Sequence, residues 1–113
     1  MKNTKINYEE YEMANGECVA MSTAPILLMK LRSKDKKSYE TISRVLVKGL
    51  NERDVLEVYD FLYATYKNAN QDEECMTFDE FLENANPSME ENVNTMKEMY
   101  SPSKKQDSEE DSN

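Results

Sequence analysis

The chain has 113 residues, a formal net charge of −9, no histidine and only two glycines. This length suits one small domain with a modest core. The absence of histidine excludes His-based acid/base catalysis, His metal ligands and Ser-His-Asp triads. The acidic balance disfavours nucleic acid as a direct ligand, because phosphate binding needs clustered Lys and Arg. No glycine-rich phosphate loop is present either, so we expect neither enzymatic activity nor a cofactor.

Charge is distributed unevenly along the chain. Residues 30–53 carry eight basic and three acidic side chains, whereas residues 54–100 carry two basic and twelve acidic ones. The basic block fits either a local contact with an anionic surface or a solvated helix face that balances the acidic half. We favour the solvated face.

The two cysteines, Cys18 and Cys75, are far apart and form no C-x-x-C motif. This spacing favours two reduced thiols in a cytoplasmic protein over a disulfide. The longest apolar run, residues 25–29, is too short to span a bilayer, and the N-terminus shows no apolar signal region. We therefore expect no membrane association and a cytoplasmic location.

The first predicted element is a β-hairpin. Ile6 and Tyr8 alternate in phase, and Asn15-Gly16 is a turn signal because both residues tolerate positive φ. Residues 18–21 supply the return strand. Tyr8 and Tyr11 also fit a helical spacing, so the pattern leaves that alternative open.

Two helices follow the hairpin. Ser22 or Thr23 is a suitable N-cap for the first helix, and Pro25 fits its first turn. This helix is apolar nearly all round, which predicts burial on most sides. The next helix begins near Lys37, and Gly49 lies near its end, where positive φ is often needed. Its apolar stripe consists of Tyr39, Ile42, Leu46 and Leu50, with Val45 beside it.

A third helix from about Glu52 has the clearest amphipathic pattern of the chain. Its apolar residues are Val55, Leu56, Tyr59, Leu62, Tyr63 and Tyr66. A polar loop follows at residues 67–72. Thr77 and Glu80 form a capping box, and Met76 and Phe81 are spaced as a hydrophobic staple.

The last helix is predicted after Pro87. Ser88 and Glu91 have the spacing of a second capping box. Met89, Val93, Met96 and Tyr100 form its apolar stripe.

These segments predict a mainly α fold, a single helical domain over residues 1–100 with four to five short helices and a β-hairpin within residues 1–22. Residues 104–113 contain no apolar side chain. We therefore expect a disordered, acidic C-terminal tail over residues 101–113.

The polar loop before the fourth helix invites comparison with a calcium-binding EF-hand. With Glu80 as the last ligand, the first ligand would be Ala69, which has no side-chain oxygen. Glu74 would stand where the tight turn needs glycine. A capped helix explains the same residues, so we expect no metal site.

Several segments resemble the tail assembly chaperones of long-tailed bacteriophages of Gram-positive bacteria. Residues 55–64, V-L-E-V-Y-D-F-L-Y-A, and residues 76–84, M-T-F-D-E-F-L-E-N, are similar to the helices of that family. Residues 5–13, K-I-N-Y-E-E-Y-E-M, resemble its opening strand, and Ser-Pro-Ser-Lys-Lys at 101–105 resembles its tail. The resemblance covers about three quarters of the chain, and the family has no invariant catalytic motif.

The resemblance implies a chaperone that binds the tape measure protein and keeps it soluble during tail assembly in the host cytoplasm. It also implies contact with the tail tube protein and allows self-association. An alternative from another class is an acidic DNA mimic or regulator that binds a nucleic-acid-binding protein; its complex would depend steeply on salt. A small structural subunit of the virion is a third alternative.

The expected partner surface combines apolar side chains of the last three helices, some of which must also fill the core. These residues are Tyr59, Leu62, Tyr63, Tyr66, Phe78, Phe81, Met96 and Met99.

Overall fold

The computed structural model describes residues 6–49, 51 and 53–100. Its elements are, in chain order, β1 (Glu9–Glu12), β2 (Cys18–Met21), α1 (Pro25–Lys34), α2 (Lys36–Lys48), α3 (Val55–Ala69), α4 (Phe78–Asn84) and α5 (Met89–Tyr100). The predicted mainly helical fold and the N-terminal hairpin are thereby confirmed. The predicted tail and Leu50 lie outside the described residues.

The hairpin is a two-stranded antiparallel ribbon in which Glu9 lies opposite Met21 and Glu12 opposite Cys18. Gly16 has a φ of 92°, which glycine adopts without steric cost. Tyr11 and Met21 are buried against the helices. An isolated hairpin is marginal in water, so this packing is what stabilises the ribbon.

α1 is less buried than its sequence predicts. Leu28 and Leu31 face the core, but Ile26 is 47% exposed and Met29 77% exposed. The expectation of burial on most sides is therefore wrong, because only one face of α1 packs on the bundle. The predicted cap also differs, since Ala24 occupies the N-cap position and the Ser22 hydroxyl instead accepts a hydrogen bond from the Ala24 amide.

Asp35 alone connects α1 to α2, and it is the N-cap of α2. Its carboxylate accepts hydrogen bonds from the Ser38 amide at 3.2 Å, from the Ser38 hydroxyl at 2.8 Å and from Lys67 Nζ at 2.9 Å. At the other end of α2, Arg44 Nη1 lies 2.6 Å from Glu57 Oε2. The two ion pairs show that α2 and α3 run antiparallel.

The Asp35–Lys67 pair makes stability depend on pH. Burial raises the pKa of Asp35, but the hydrogen bonds from Lys67 and Ser38 outweigh burial and hold that pKa below its ordinary value. A depressed pKa stabilises the fold above the ordinary value, and this stabilisation is lost as the pH falls. Asp35→Asn keeps the cap but removes the charge, so we expect it to cost about 1 kcal/mol at pH 7.

Urea denaturation at pH 7 and pH 3 measures this effect. The difference between wild type and Asp35→Asn should shrink at pH 3, because this pH lies below the ordinary pKa of an aspartate and the unfolded chain then gains a proton at this position. Asp72→Asn is the matched control, because Asp72 pairs with Lys34 on the surface and its side chain is almost fully exposed. An Asp35→Asn difference of equal size at both pH values would contradict the prediction.

α3 is the central helix, and the hairpin, α1, α2, α4 and α5 all pack on it. Val58, Phe61 and Leu62 are fully buried. The buried Asn68 donates its side-chain amide to the Ser22 carbonyl at 2.9 Å. Helix α3 begins at Val55 after the N-cap Asp54, three residues later than predicted.

The capping box of α4 is confirmed, whereas that of α5 is only half formed. The Glu80 amide donates to Thr77 Oγ1, and the Thr77 amide donates to the Glu80 carboxylate. At α5, the Glu91 amide donates to Ser88 Oγ, but the Ser88 amide donates to Asn86 Oδ1. Asn86 therefore takes the reciprocal role that the sequence assigned to Glu91.

A buried polar network joins β1, α3 and α5. The Tyr11 hydroxyl donates to Asn92 Oδ1 at 2.7 Å and accepts from the Asn86 amide at 2.9 Å. Asn92 Nδ2 in turn donates to the Tyr59 hydroxyl and to the Asn86 carbonyl. Burial is the main cause that raises the pKa of Tyr11 to about 12. The hydroxyl therefore stays protonated and remains a donor at neutral pH.

Candidate functional site

Most of the expected partner surface lies inside the core. Five of its eight residues are buried: Leu62, Tyr66, Phe81, Met96 and Met99. They are buried because the apolar stripes of α3, α4 and α5 pack on one another and on the hairpin. Buried side chains cannot contact a partner in this conformation, so these five residues are corrected to core positions.

The other three residues are half-buried and have edges at the surface. Tyr59 belongs to the buried network, since its hydroxyl accepts from Asn92. Tyr63 donates to the Met76 carbonyl at 2.8 Å, and its ring centroid is 5.1 Å from that of Phe78. Of the predicted residues, Tyr63 and Phe78 thus form one aromatic pair with accessible edges.

That aromatic pair lines a groove between α2 and α3. The middle section of the groove has a volume of about 200 Å³. It shares Lys37 and Thr41 with an outer section of about 560 Å³, and it shares Asp35, Tyr63 and Lys67 with an inner section of about 530 Å³. Neighbouring sections share lining residues, and we call the three sections together the α2 groove. The outer section is lined by α2 alone, and the inner section by the end of α1, the end of α3 and the loop before α4. The middle and outer sections follow α2, whose 13 residues span about 20 Å.

An ion pair lies between the middle and inner sections of the α2 groove. Lys67 Nζ lies 2.9 Å from Asp35 Oδ2 and 5.3 Å from the centroid of the Tyr63 ring. Burial lowers the pKa of Lys67, but Asp35 raises it by more, so the pKa ends above its ordinary value. The ammonium is therefore held in place by a carboxylate and an aromatic face.

Exposed apolar side chains lie at the end of α2, at the start of α3 and at the end of α5, and we call this set the apolar end; its member Val47 lines the outer section of the groove. Its members are Leu46, Val47, Val55, Leu56 and Tyr100.

The end of α2 lies near the start of α3, as the ion pair between Arg44 and Glu57 shows. Val47 follows Arg44 by three residues, and Leu56 precedes Glu57, the ion-pair partner of Arg44. Val47 is 81% exposed and Leu56 is 64% exposed. Tyr100 joins them because its hydroxyl lies 3.0 Å from where a Cβ atom on Gly49 would stand.

Cations accompany the apolar end. Lys37 and Lys48 line the outer section, and neither forms an ion pair within the described part of the chain. Of the acids nearby, Asp54 caps α3 and Glu57 pairs with Arg44, whereas Asp60 lines the middle section beside Lys37. Part of the basic block that the sequence suggested to be a solvated face therefore lines a groove.

The exposure of Val47 could have been predicted from the sequence, although the periodic pattern of α2 did not draw attention to it. Ile42 and Val45 form the buried stripe of α2, and Val47 is apolar but lies outside that stripe. Val55 and Leu56 were assigned to the buried stripe of α3, yet they precede the first residue that packs in the core, Val58.

The inner section contains Cys75 but does not resemble a catalytic centre. Burial is the main cause that raises the pKa of the Cys75 thiol, so the thiolate nucleophile is disfavoured at neutral pH. Cys18 and Cys75 are both free. Within residues 6–49, 51 and 53–100, no group of three Cys, Asp or Glu side chains has an arrangement that could hold a metal ion. No helix in the same ranges is long and apolar enough to cross a membrane.

Comparisons with protein-family models, with curated proteins and with solved structures find no match for this chain. The fold and the groove define a small α-helical protein that displays an apolar end beside a partly cationic groove.

Proposed function

We propose that this protein is a non-catalytic binding protein that holds an apolar helical segment of another protein. The segment lies along the α2 groove and covers the apolar end. The observation that carries this proposal is the exposure of two large apolar side chains, Val47 in the outer section of the groove and Leu56 next to the Arg44–Glu57 ion pair. Exposed apolar groups arranged in this way are typical of protein-binding surfaces that accept an amphipathic helix.

Within this class, we propose a tail assembly chaperone that binds the tape measure protein in the host cytoplasm. Support comes from the resemblance of residues 55–64 and 76–84 to that family. A long helical protein exposes apolar faces before it is assembled, and a groove of this kind would shield one of them. The net charge of −9 would keep the complex from aggregating through mutual repulsion.

Co-expression with the tape measure protein tests the proposal. We expect the wild-type protein to raise the soluble fraction of the tape measure protein several-fold. Val47→Gln/Leu56→Gln should lose this effect, because glutamine removes apolar area while preserving helix propensity. Both positions are exposed, so the free energy of unfolding should change by less than about 1 kcal/mol.

Ile26→Gln/Met29→Gln is the matched control, since it removes two exposed apolar side chains from α1 instead. This control should retain the solubilising effect. Loss of the effect in the control and not in Val47→Gln/Leu56→Gln would move the binding surface to α1. No gain in solubility with the wild-type protein would refute the chaperone function.

A further inference from the structure

We propose that the segment bound at this site carries acidic side chains beside its apolar stripe, so that these acids lie over the outer section of the α2 groove. This inference rests on the proposed function, because it specifies the chemistry of the partner at the same site. The partner is an amphipathic helix with an acidic flank.

The charges of the outer section support this choice. Lys37, Arg44 and Lys48 line it together with a single acid, Glu40. Glu40 lies 4.0 Å from Lys36, and Arg44 pairs with Glu57. Lys37 and Lys48 thus remain without an ion pair among the described residues. A bound carboxylate would complement them, whereas a bound ammonium would add like charge.

The middle section of the groove favours a different kind of side chain from the outer section. Asp35 and Lys67 neutralise each other there, Asp60 and Lys37 also line it with opposite charges, and Tyr63 and Phe78 present aromatic surface. An uncharged apolar side chain fits this section, because it would not disturb the ion pair. The two sections therefore favour different parts of a bound segment: the middle section favours apolar side chains, and the outer section, near the apolar end, favours acidic ones.

The position of the site makes the charge preference selective. The protein as a whole has a net charge of −9, and exposed acids are grouped on α4, at Asp79, Glu80 and Glu83. A basic segment would be attracted to that acidic surface without specific docking. An acidic segment is repelled by most of the protein and attracted at the outer section, which favours one binding position.

Two synthetic helical peptides of 16 residues test the inference. Both have leucine at helical i, i+3, i+4 and i+7 spacing; one has glutamate at the flanking positions and the other has lysine. Fluorescence anisotropy at low salt should show that the glutamate peptide binds about tenfold more tightly. The preference should shrink at 0.3 M NaCl, since screening weakens charge pairs.

Two double variants test which basic residues cause the preference for the glutamate peptide. Lys37→Gln/Lys48→Gln should reduce the glutamate preference to about twofold or less. Lys30→Gln/Arg32→Gln removes the same charge from exposed positions on α1 and should leave the preference intact. Because both variants have equal net charge, a difference in their peptide preference is caused by the charges in the groove and not by the net charge of the protein.

The outcomes separate this inference from the function on which it rests. Equal binding of both peptides, or tighter binding of the lysine peptide, would overturn the acidic flank while leaving apolar docking in place. Equal loss of the preference in both variants would also overturn it. Binding of neither peptide to the wild-type protein would overturn the docking surface and the acidic flank together.

Discussion

Replacing Phe81 by alanine should destabilise the protein by about 3–5 kcal/mol, a large part of the total stability of a domain this small. Phe81 is completely buried. Its ring centroid lies 5.4 to 5.9 Å from the rings of Tyr63, Tyr66 and Tyr11, so it joins α4 to α3 and to the hairpin. Truncation would leave a cavity between three elements that cannot all close on it.

Thermal and urea denaturation, followed by circular dichroism, measure this loss. Leu56→Ala is the control, because Leu56 is largely exposed and its truncation should change stability by no more than about 0.5 kcal/mol. The two variants should separate stability from binding, since Leu56→Ala weakens partner capture while keeping the fold. A Phe81→Ala protein with wild-type stability but no partner binding would contradict the core assignment and show that Phe81 contacts the partner.

Asn92→Asp should cost about 3 kcal/mol at pH 7, although it changes only one side-chain group. Asn92 is fully buried, and its amide donates to the Tyr59 hydroxyl and the Asn86 carbonyl. An ionised carboxylate at this position would lose both donors and would place its charge against a carbonyl oxygen. Burial would therefore raise the pKa of the new carboxyl group above its ordinary value of about 4.

The pH dependence identifies the cause of this loss. A raised pKa in the folded state means that the penalty is present at high pH and is relieved as the carboxyl group takes up a proton. The stability of Asn92→Asp relative to wild type should thus recover in part between pH 7 and pH 4. Asn94→Asp is the control on the same helix, because Asn94 is exposed. A deficit for Asn92→Asp that stays constant with pH would show that lost packing, and not buried charge, is responsible.

The sequence was sufficient for the elements that depend on local chemistry. The Asn15-Gly16 turn, the Thr77–Glu80 capping box and the glycine after α2 were all predicted, because each depends on residues within one turn of the chain. The capping box predicted at Ser88 and Glu91 forms only in part, for a related reason. Asn86 competes for the same groups, and its position is set by Tyr11, 75 residues earlier in the chain.

The candidate site was harder to predict, because helical periodicity shows which residues share a face but not what covers that face. Tyr63 and Tyr66 belong to one stripe of α3, yet Tyr66 is covered and Tyr63 lines a groove. The difference depends on where α4 packs, which is a tertiary property. The apolar end depends likewise on the antiparallel pairing of α2 and α3, which places the end of α2 near the start of α3.

The ion pairs at the two ends of α2 have a consequence for how a partner is selected. Asp35–Lys67 and Arg44–Glu57 hold the spacing between α2 and α3 at both ends. The connection between α1 and α2 is the single residue Asp35, which restricts how far the two helices can move apart. We therefore expect the middle section of the groove to be preorganised, so that a ligand loses little affinity to reshaping it. A groove of fixed width cannot widen for bulky side chains, so the width of the apolar stripe becomes a criterion of recognition in its own right.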